Sequence, residues 1–514
     1  MMKAVLRLAT AGALALGLAA CSGNSATPSG TKFAEGKTFT MILSADPGNL
    51  DPHFTSLSTT QQVDRFLYDS LINIDKDGKM VAGLAEKWEA TTTKAVFTLR
   101  KGVTCSDGSP LTATQIAANI TFVGDPKNAS SRIGVYVPPG ATATADDAAG
   151  TVTVTSPAPS AFLDRTLGGL HIVCDKGMKD RTLLKQGAVG TGLFTVTEAV
   201  ADDHYTLKRR KDYAWGPGDW SKDQAGLPET VVLKVVANET TAANLISTDQ
   251  ANAAVVVGPD GARLTAMNLH KREVVAPLGE LWFNQKAGLP GADAATRKAL
   301  TQALDLKQLM AVITSGSGKP ATGLVAPGLG PCPQDTVTSK LPASDAAAAK
   351  TALSGKNLKL NFYYASAVGP GMQAAAELLQ KAWQAAGVEV TLKGVTNAEI
   401  GQAIVGGQGS WDAAFLPLGV TLPSELVSFF SGPSAPDGVN FASINNPAYT
   451  AAVEKASATA GTAGCAQWAA AEEALVGNGD IVPFAFSSIG VYGKGATFEL
   501  SSGSVDPASV RMLG

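Results

Sequence analysis

The side chains most often used for acid–base or metal chemistry are few in this chain. It has four histidines, and none lies four residues from another or in a His-Glu-x-x-His sequence, which would put two zinc ligands and a general base on one helical face. No Gly-x-Ser-x-Gly sequence provides the sharp turn that exposes a serine nucleophile. The pattern predicts a protein with no catalytic residues, no metal site and no cofactor, and it leaves a surface peptidase open as an alternative.

Two short runs resemble ligand-binding loops but lack residues that bind the ligand in such loops. The run 315–320 resembles a phosphate-binding loop, but Ile313 replaces its first glycine and Pro320 replaces the Ser or Thr that would bind a metal-bound phosphate. The run 73–78 opens like a calcium loop, but the bidentate acid of the twelfth position is Leu84. A flexible loop and a hairpin turn are the better interpretations.

The cysteines indicate the compartment. The chain has five cysteines, and four of them follow Cys21. An even number in an oxidising compartment predicts two disulfides, with three possible pairings, and free thiols are the alternative. No Cys-x-x-Cys sequence is present, which argues against zinc binding or redox catalysis. The four are Cys105, Cys174, Cys332 and Cys465.

The first residues have the pattern of a targeting segment. Lys3 and Arg7 precede an apolar run over 14–20 that is too short for a permanent membrane helix. The sequence Leu18-Ala19-Ala20-Cys21 resembles a bacterial lipobox, which predicts a lipoprotein signal peptide over 1–20 and lipidation of Cys21. A plain secretory signal is the alternative. The Ser-, Gly- and Pro-rich stretch 21–36 is typical of a flexible tether.

The composition is typical of a globular protein. The chain has 514 residues, of which 45% are hydrophobic and 17% charged, with a net charge of −3. No basic block is present, which argues against nucleic acid as a partner. No later stretch has the roughly 18 uncharged apolar residues of a membrane helix. The length predicts two or three domains.

Apolar spacing changes between helix and strand periods along the chain. Helical spacing predicts a helix over 59–72 and another over 296–313. Thr112, with Gln115 three residues later, predicts a helix start with a capping box. The stretch 358–392 has the pattern of a strand, a helix and a second strand, which predicts a parallel crossover in an α/β fold.

Four stretches carry motifs of one known family. They are Asn49–His53; the block Tyr68–Ala113, which includes Gly83–Trp88 and Phe97–Val103; Leu281–Asn284 with Arg297–Leu300 and Ala303–Asp305; and Trp411–Phe429. With these residues the chain resembles family 5 of the bacterial extracellular solute-binding proteins, the peptide, nickel and opine class that serves ATP-binding cassette importers.

The resemblance implies an α/β, two-lobed periplasmic-binding-protein fold with an extra domain inserted in the first lobe. It places the first lobe at 37–56, 188–280 and 487–514, the inserted domain at 57–187 and the second lobe at 281–486. Among the possible pairings, Cys105–Cys174 and Cys332–Cys465 are then favoured, because each pair lies within one of these domains.

The resemblance also implies where solute binds. The expected ligand-binding residues are Ala45, Asp46, Pro47, Trp282, Asn284, Leu418, Gly419, Val420, Thr421 and Glu425. Peptide would pair with backbone on both sides as an added strand, although Pro47 has no N–H to donate. Asp46 is either a ligand contact or a turn residue. Trp282 either stacks on solute or fills the core.

One position departs from the family pattern. Peptide binders of the family commonly carry an aspartate for the peptide ammonium where Thr421 stands here. An uncharged group is a poor partner for a desolvated ammonium. Either Asp46 or Glu425 takes that role, or the solute has no free amino terminus. A peptide remains the predicted solute, with opines, modified or cyclic peptides, metal chelates and small glycosides as alternatives.

Taken with the N-terminus, the resemblance implies a binding lipoprotein on the outer face of the cytoplasmic membrane. Its expected partners are a small solute, the permease of an importer and the membrane, through a lipid anchor. A monomer is expected from the habit of the family. A surface lipoprotein that hands the same kind of solute to a sensor is the alternative.

Overall fold

The structure is a computed structural model that describes residues 32–55, 57–257, 260–366, 370–434 and 437–514. The expected signal peptide, Cys21 and most of the expected tether lie outside these residues. None of the helices in the described part is long and apolar enough to cross a membrane.

Strands and helices alternate through most of the chain. The strands are β1 (Thr38–Leu43), β2 (Ile72–Ile74), β3 (Met80–Ala82), β4 (Ala85–Ala90), β5 (Lys94–Leu99), β6 (Thr142–Asp146), β7 (Thr151–Thr155), β8 (Phe194–Val200), β9 (His204–Arg209), β10 (Thr230–Val235), β11 (Ala253–Val256), β12 (His270–Phe283), β13 (Lys359–Ala365), β14 (Glu389–Val395), β15 (Ala413–Phe415), β16 (Ile481–Gly493), β17 (Ala496–Thr497), β18 (Leu500–Ser501), β19 (Ser504–Val505) and β20 (Arg511–Met512). The helices are α1 (Ser58–Leu67), α2 (Ala113–Gly124), α3 (Leu163–Gly168), α4 (Asp175–Lys179), α5 (Glu239–Ser247), α6 (Asp260–Ala266), α7 (Ala294–Gln302), α8 (Leu306–Ile313), α9 (Ala346–Leu353), α10 (Pro370–Ala385), α11 (Asn397–Ile400), α12 (Val427–Phe430), α13 (Pro447–Ser457) and α14 (Cys465–Gly477).

Within the described residues, ten strands form one mixed sheet in the order β14-β13-β15-β12-β16-β11-β1-β10-β9-β8. The strands β8 to β11, together with β1, lie on one side of the β12–β16 pair, and β13 to β15 lie on the other. Strands β13 and β14 are parallel and joined through α10, which confirms the predicted crossover. Gly387, just beyond α10, has a φ of +92°, a left-handed conformation that ends the helix without a Cβ penalty.

Two long strands connect the halves of this sheet. Strands β12 and β16 pair antiparallel from His270 opposite Gly493 to Trp282 opposite Ile481, with a bulge near Gly279. At one end β16 pairs with β11, and at the other end β12 pairs with β15. A Cβ at Gly279 would lie 2.6 Å from the Phe484 ring, so only glycine allows this close approach.

A second sheet lies within segment 57–187. Its strands are ordered β4-β5-β7-β6 and every pair is antiparallel. Helix α2 packs on this sheet, and Cys105 is bonded to Cys174 in the same segment. Strands β2 and β3 form the hairpin predicted around Asp75.

Three details differ from the sequence predictions. The helix predicted over 59–72 ends at Leu67, because Tyr68 is extended and the Leu67 carbonyl accepts the Gly192 N–H at 3.0 Å. The helix predicted over 296–313 is two helices, since Asp305 accepts from the Gln308 N–H and caps a new start.

The third concerns the start of α2. Thr112 caps the helix by accepting from the Gln115 N–H, as predicted. The Gln115 side chain, however, donates to the Pro110 carbonyl rather than returning to Thr112. The capping box is therefore only half formed.

Candidate functional site

The first predicted ligand loop, which follows β1, is held by its own lobe. The Asp46 carboxylate accepts from the Gly48 N–H at 2.7 Å and from the Asp202 N–H at 2.7 Å. The Tyr205 hydroxyl lies 3.2 Å from both carboxylate oxygens, and burial together with the nearby Asp46 charge raises the pKa of Tyr205 to about 12. Asp46 therefore ties its loop to the turn between β8 and β9.

The neighbours of Asp46 differ in exposure. Ala45 is exposed, whereas Pro47 is buried and its carbonyl accepts from the Thr60 hydroxyl at 2.7 Å. Of this expected strand-pairing edge, only the backbone around Ala45 is freely accessible.

The second predicted ligand loop, 418–420, and the preceding Leu416 are bonded to β12. The Leu416 N–H donates to the Glu280 carbonyl, and the Leu418 N–H donates to Glu280 Oε2 at 2.9 Å. Gly419 is exposed, and a Cβ built on it would meet no atom within 4 Å. Val420 is buried, with 9% of its surface exposed.

Glu280 is a buried carboxyl on the long β12 strand. Only 2% of it is exposed, and burial raises its pKa to about 8, with the nearby Glu472 carboxylate acting in the same direction. No sequence motif marks Glu280, because its hydrogen bond is to a loop more than 130 residues away in the chain.

Thr421 and Glu425 are bonded to each other. The Thr421 N–H donates to Glu425 Oε2 at 2.9 Å, and the Thr421 hydroxyl donates to Oε1 at 3.1 Å. Burial raises the pKa of Glu425, while these bonds and the Arg165 charge oppose the shift. The Glu425 carboxylate therefore lies within hydrogen-bonding distance of Thr421.

Trp282 lies in the core rather than on a free surface. It is fully buried, its Nε1–H donates to the Leu416 carbonyl at 2.8 Å, and its ring stacks on Phe430 with centroids 4.9 Å apart. Asn284 is also buried, and its side chain donates to the Trp411 carbonyl at 3.0 Å. Trp282 thus holds the start of the loop that follows β15, and Asn284 holds the residues that precede this strand.

Segment 57–187 contacts residues of segment 281–486 directly. Arg165 donates from Nη1 to the Gly78 carbonyl at 3.2 Å and from Nη2 to the Leu329 carbonyl at 3.1 Å. The Gly461 N–H donates to the Ala161 carbonyl at 2.6 Å, and the Phe162 and Trp468 rings lie 6.1 Å apart. These contacts join parts of the chain that lie far apart in sequence.

The two predicted ligand loops have different bonding partners. Among the described residues, no hydrogen bond joins 45–47 to 418–425. The first loop is bonded to the turn between β8 and β9, and the second to Glu280 on β12. In the described part of the chain no group of three or more His, Cys, Asp or Glu could hold a metal ion.

Both favoured cysteine pairs form disulfides. Cys105 is bonded to Cys174 and Cys332 to Cys465. The second bond ties the loop before residue 336 to the start of α14, which faces segment 57–187.

This arrangement of a ten-stranded mixed sheet and a separate four-stranded sheet agrees with the comparisons with known proteins. The model of the bacterial extracellular solute-binding proteins, family 5 Middle, matches residues 79–440. The chain belongs to this family. Its members bind solutes outside the cytoplasm, and the match covers the second predicted ligand loop.

Individual relatives are more distant. The glutathione-binding protein GsiB of Salmonella typhimurium is 27% identical over 292 residues, which is 54% of this chain and 54% of that protein. The chain thus aligns with about half the length of the curated relatives that it matches.

Solved structures match over nearly the full length. A substrate-binding protein from Microbacterium hydrocarbonoxydans, complexed with 4-hydroxybenzoate hydrazide, has a TM-score of 0.72 and 28% identity and covers 93% of this chain and 100% of its own. The transporter substrate-binding protein CtaP from Listeria monocytogenes has a TM-score of 0.79, 18% identity and the same coverage. These likenesses establish the two-lobed fold.

Proposed function

We propose that this protein captures a small peptide between its two lobes outside the cytoplasm and delivers it to the permease of an ATP-driven importer. The observation that carries the proposal is the antiparallel pair β12–β16. This pair lies between the two halves of the sheet and connects them. Two strands that bend near one bulge provide a hinge for the lobes.

Solute stabilises a closed form only through contacts that the open form lacks. The protein's own bonds from Arg165 to Leu329 and from Gly461 to Ala161 join segment 57–187 to segment 281–486, and they would add to the stability of a closed form. Closure also removes water from the solute and strengthens the hydrogen bonds and charge pairs around it.

A peptide is the favoured solute on two grounds. The relative GsiB is named as a glutathione-binding protein, and glutathione is a peptide. Glu425 also offers a carboxylate at the position where family members hold the ammonium. Asp46 is less suited, since Gly48, Asp202 and Tyr205 already donate to it.

A non-peptide solute is the second candidate. The structural relative of 28% identity from Microbacterium hydrocarbonoxydans was solved with 4-hydroxybenzoate hydrazide, a small aromatic molecule without an α-ammonium. Thr421, which is uncharged, suits such a solute.

The remaining parts of the proposal concern location and organisation. A lipid on Cys21 and the tether to residue 36 would hold the protein, as a monomer, at the outer face of the membrane. The domain boundaries 37–56, 188–280 and 487–514 for the first lobe, 57–187 for the insertion and 281–486 for the second lobe are consistent with the sheet order.

The test is to incubate the purified protein with a defined pool of dipeptides to pentapeptides and to analyse both the bound and the free fractions by mass spectrometry. Intact peptides enriched in the bound fraction, with no cleavage products, are expected. Products that accumulate with time would instead indicate a surface peptidase, and a bound fraction without peptides would favour the second candidate.

A further inference from the structure

An open groove lies beside the first predicted ligand loop. Its volume is about 630 Å³, which is within the range of ordinary ligand pockets. Gly48 and Asn49 line it together with residues between 182 and 187. The Leu50 N–H donates to the Leu184 carbonyl at 2.9 Å. The two segments that line the groove are therefore held together without any solute.

The groove is close to the backbone predicted to pair with peptide. Gly48 is three residues beyond Ala45, a span of at most about 11 Å. Strand β1, which precedes this loop, is parallel to β11, and β11 is antiparallel to β16. Because β16 starts at Ile481, opposite Trp282, β1 ends toward the half of the sheet that contains β13 to β15. A peptide bound along the loop would reach the groove with its next few residues.

Three hydrogen-bond donors beside the groove have no acceptor among the described residues. They are the Lys185 ammonium and the backbone N–H groups of Gln186 and Gly187. Lys185 is exposed, and of the described residues that line the groove it alone is charged. The exposed Leu183 side chain adds an apolar surface. The lining thus suits a negatively charged group that accepts hydrogen bonds.

The acids near the groove already have partners of their own. The Asp51 carboxylate accepts from Arg181 Nε at 2.8 Å, and Asp180 accepts from the N–H and the hydroxyl of Thr182. Asp46 has the three donors described above. None of these three acids lines the groove, so the groove presents one uncompensated positive charge.

We infer that this groove binds the carboxyl-terminal end of a peptide and that the Lys185 ammonium pairs with the terminal carboxylate. The inference rests on the proposed function and deepens it. A second ammonium would be repelled by Lys185, and an alkyl group would leave every donor unused, whereas a carboxylate accepts from all of them. With its ammonium at Glu425, the peptide would bridge segments 57–187 and 281–486 and stabilise the closed form.

The experiment measures dissociation constants by calorimetry for alanine peptides of two to six residues, each as the free acid and as the carboxamide. At the lengths that reach the groove, the free acid should bind about tenfold more tightly than the amide, because closure removes water from the charge pair. Lys185→Gln should weaken binding of the free acid and reduce this preference to about twofold or less.

Lys176→Gln is the matched control, since Lys176 is an exposed lysine of the same segment that does not line the groove. It should keep the full preference. Peptides that bind equally well as acid and amide at every length, or a preference that survives Lys185→Gln, would overturn the inference while leaving the proposed function intact. If no peptide binds in either form, it is the proposed peptide-binding function that fails, and the inference fails with it.

Discussion

The Glu425 carboxylate accepts two hydrogen bonds from Thr421, one from its N–H at 2.9 Å and one from its hydroxyl at 3.1 Å. The pair places a negative charge where the sequence has only an uncharged residue. An arriving ammonium could replace the hydroxyl donor without moving the backbone, because the N–H bond uses the other oxygen.

Replacing Glu425 with glutamine removes this charge and nearly preserves the shape. We expect Glu425→Gln to weaken binding of peptides with a free amino terminus by about tenfold or more, since a charge-assisted bond becomes a neutral one. Binding of amino-acetylated peptides should hardly change. Glu454→Gln on the exposed face of α13 serves as control. Equal losses for both peptide classes would mean that Glu425 supports the loop and does not contact the ammonium.

Arg165 provides a test of lobe closure. Arg165→Ala removes the bonds to Gly78 and Leu329. We expect solute affinity to fall by about ten- to a hundredfold, because hydrogen bonds from a charged group stabilise by roughly 1.5–3 kcal/mol. X-ray scattering with saturating solute should still show the compact form. Arg263→Ala, at an exposed ion pair with Asp260, should bind normally. An unchanged affinity in Arg165→Ala would show that this contact is not part of closure.

Two buried histidines predict acid sensitivity. Burial lowers the pKa of His53 to about 4 and that of His171 to about 3, and the charges of Arg181, Arg65 and Arg132 act in the same direction. Both rings are neutral when folded and take up protons once unfolded. The free energy of unfolding is therefore not reduced by these histidines above pH 6.5, and it decreases as the pH falls toward 4. For His53 the total decrease is on the order of 3 kcal/mol.

Urea unfolding at several pH values between 7 and 4 measures this loss. The His53→Gln variant keeps a donor for the His171 carbonyl, which His53 Nε2 contacts at 3.1 Å, and should show a shallower pH dependence than the wild type. His204→Gln, at an exposed site where Asp203 raises the histidine pKa, should not reduce the acid loss. Parallel curves for His53→Gln and wild type would contradict the interpretation.

Glu280 predicts the opposite slope at higher pH. Because burial raises its pKa to about 8, the folded protein keeps a proton that the unfolded chain releases near its ordinary value of 4.5. Its contribution to stability is therefore complete below pH 4.5 and falls as the pH rises through 8. Glu280→Gln should flatten the pH dependence of the free energy of unfolding between about pH 5 and 8, whereas Glu454→Gln should not. No change in slope would mean that the carboxyl reaches water.

Much of the fold could be predicted because the signals were local. The hairpin at Asp75 and the crossover from β13 to β14 follow from turn residues and apolar spacing within about 35 residues. The break between α7 and α8 was missed, although Asp305 is a good capping residue, because the apolar spacing continues across it.

The site was less predictable because its contacts are not local. The Asp46 carboxylate accepts hydrogen bonds from Asp202 and Tyr205, which lie more than 150 residues away in the chain. Trp383 and Trp468 are both buried. Only the folded chain shows that the N–H of Trp383 has an acceptor, the Leu300 carbonyl, and that the N–H of Trp468 has none among the described residues.

The most direct test of the central claim is thermal unfolding of the purified protein against a panel of free peptides, blocked peptides, opines, metal chelates and small sugars. A true solute at a hundredfold excess over its dissociation constant stabilises the fold by about 2.7 kcal/mol, which is a clear shift of the transition. We expect shifts with peptides, and the largest shifts with peptides that have a free amino terminus. Shifts produced only by non-peptide solutes would contradict it.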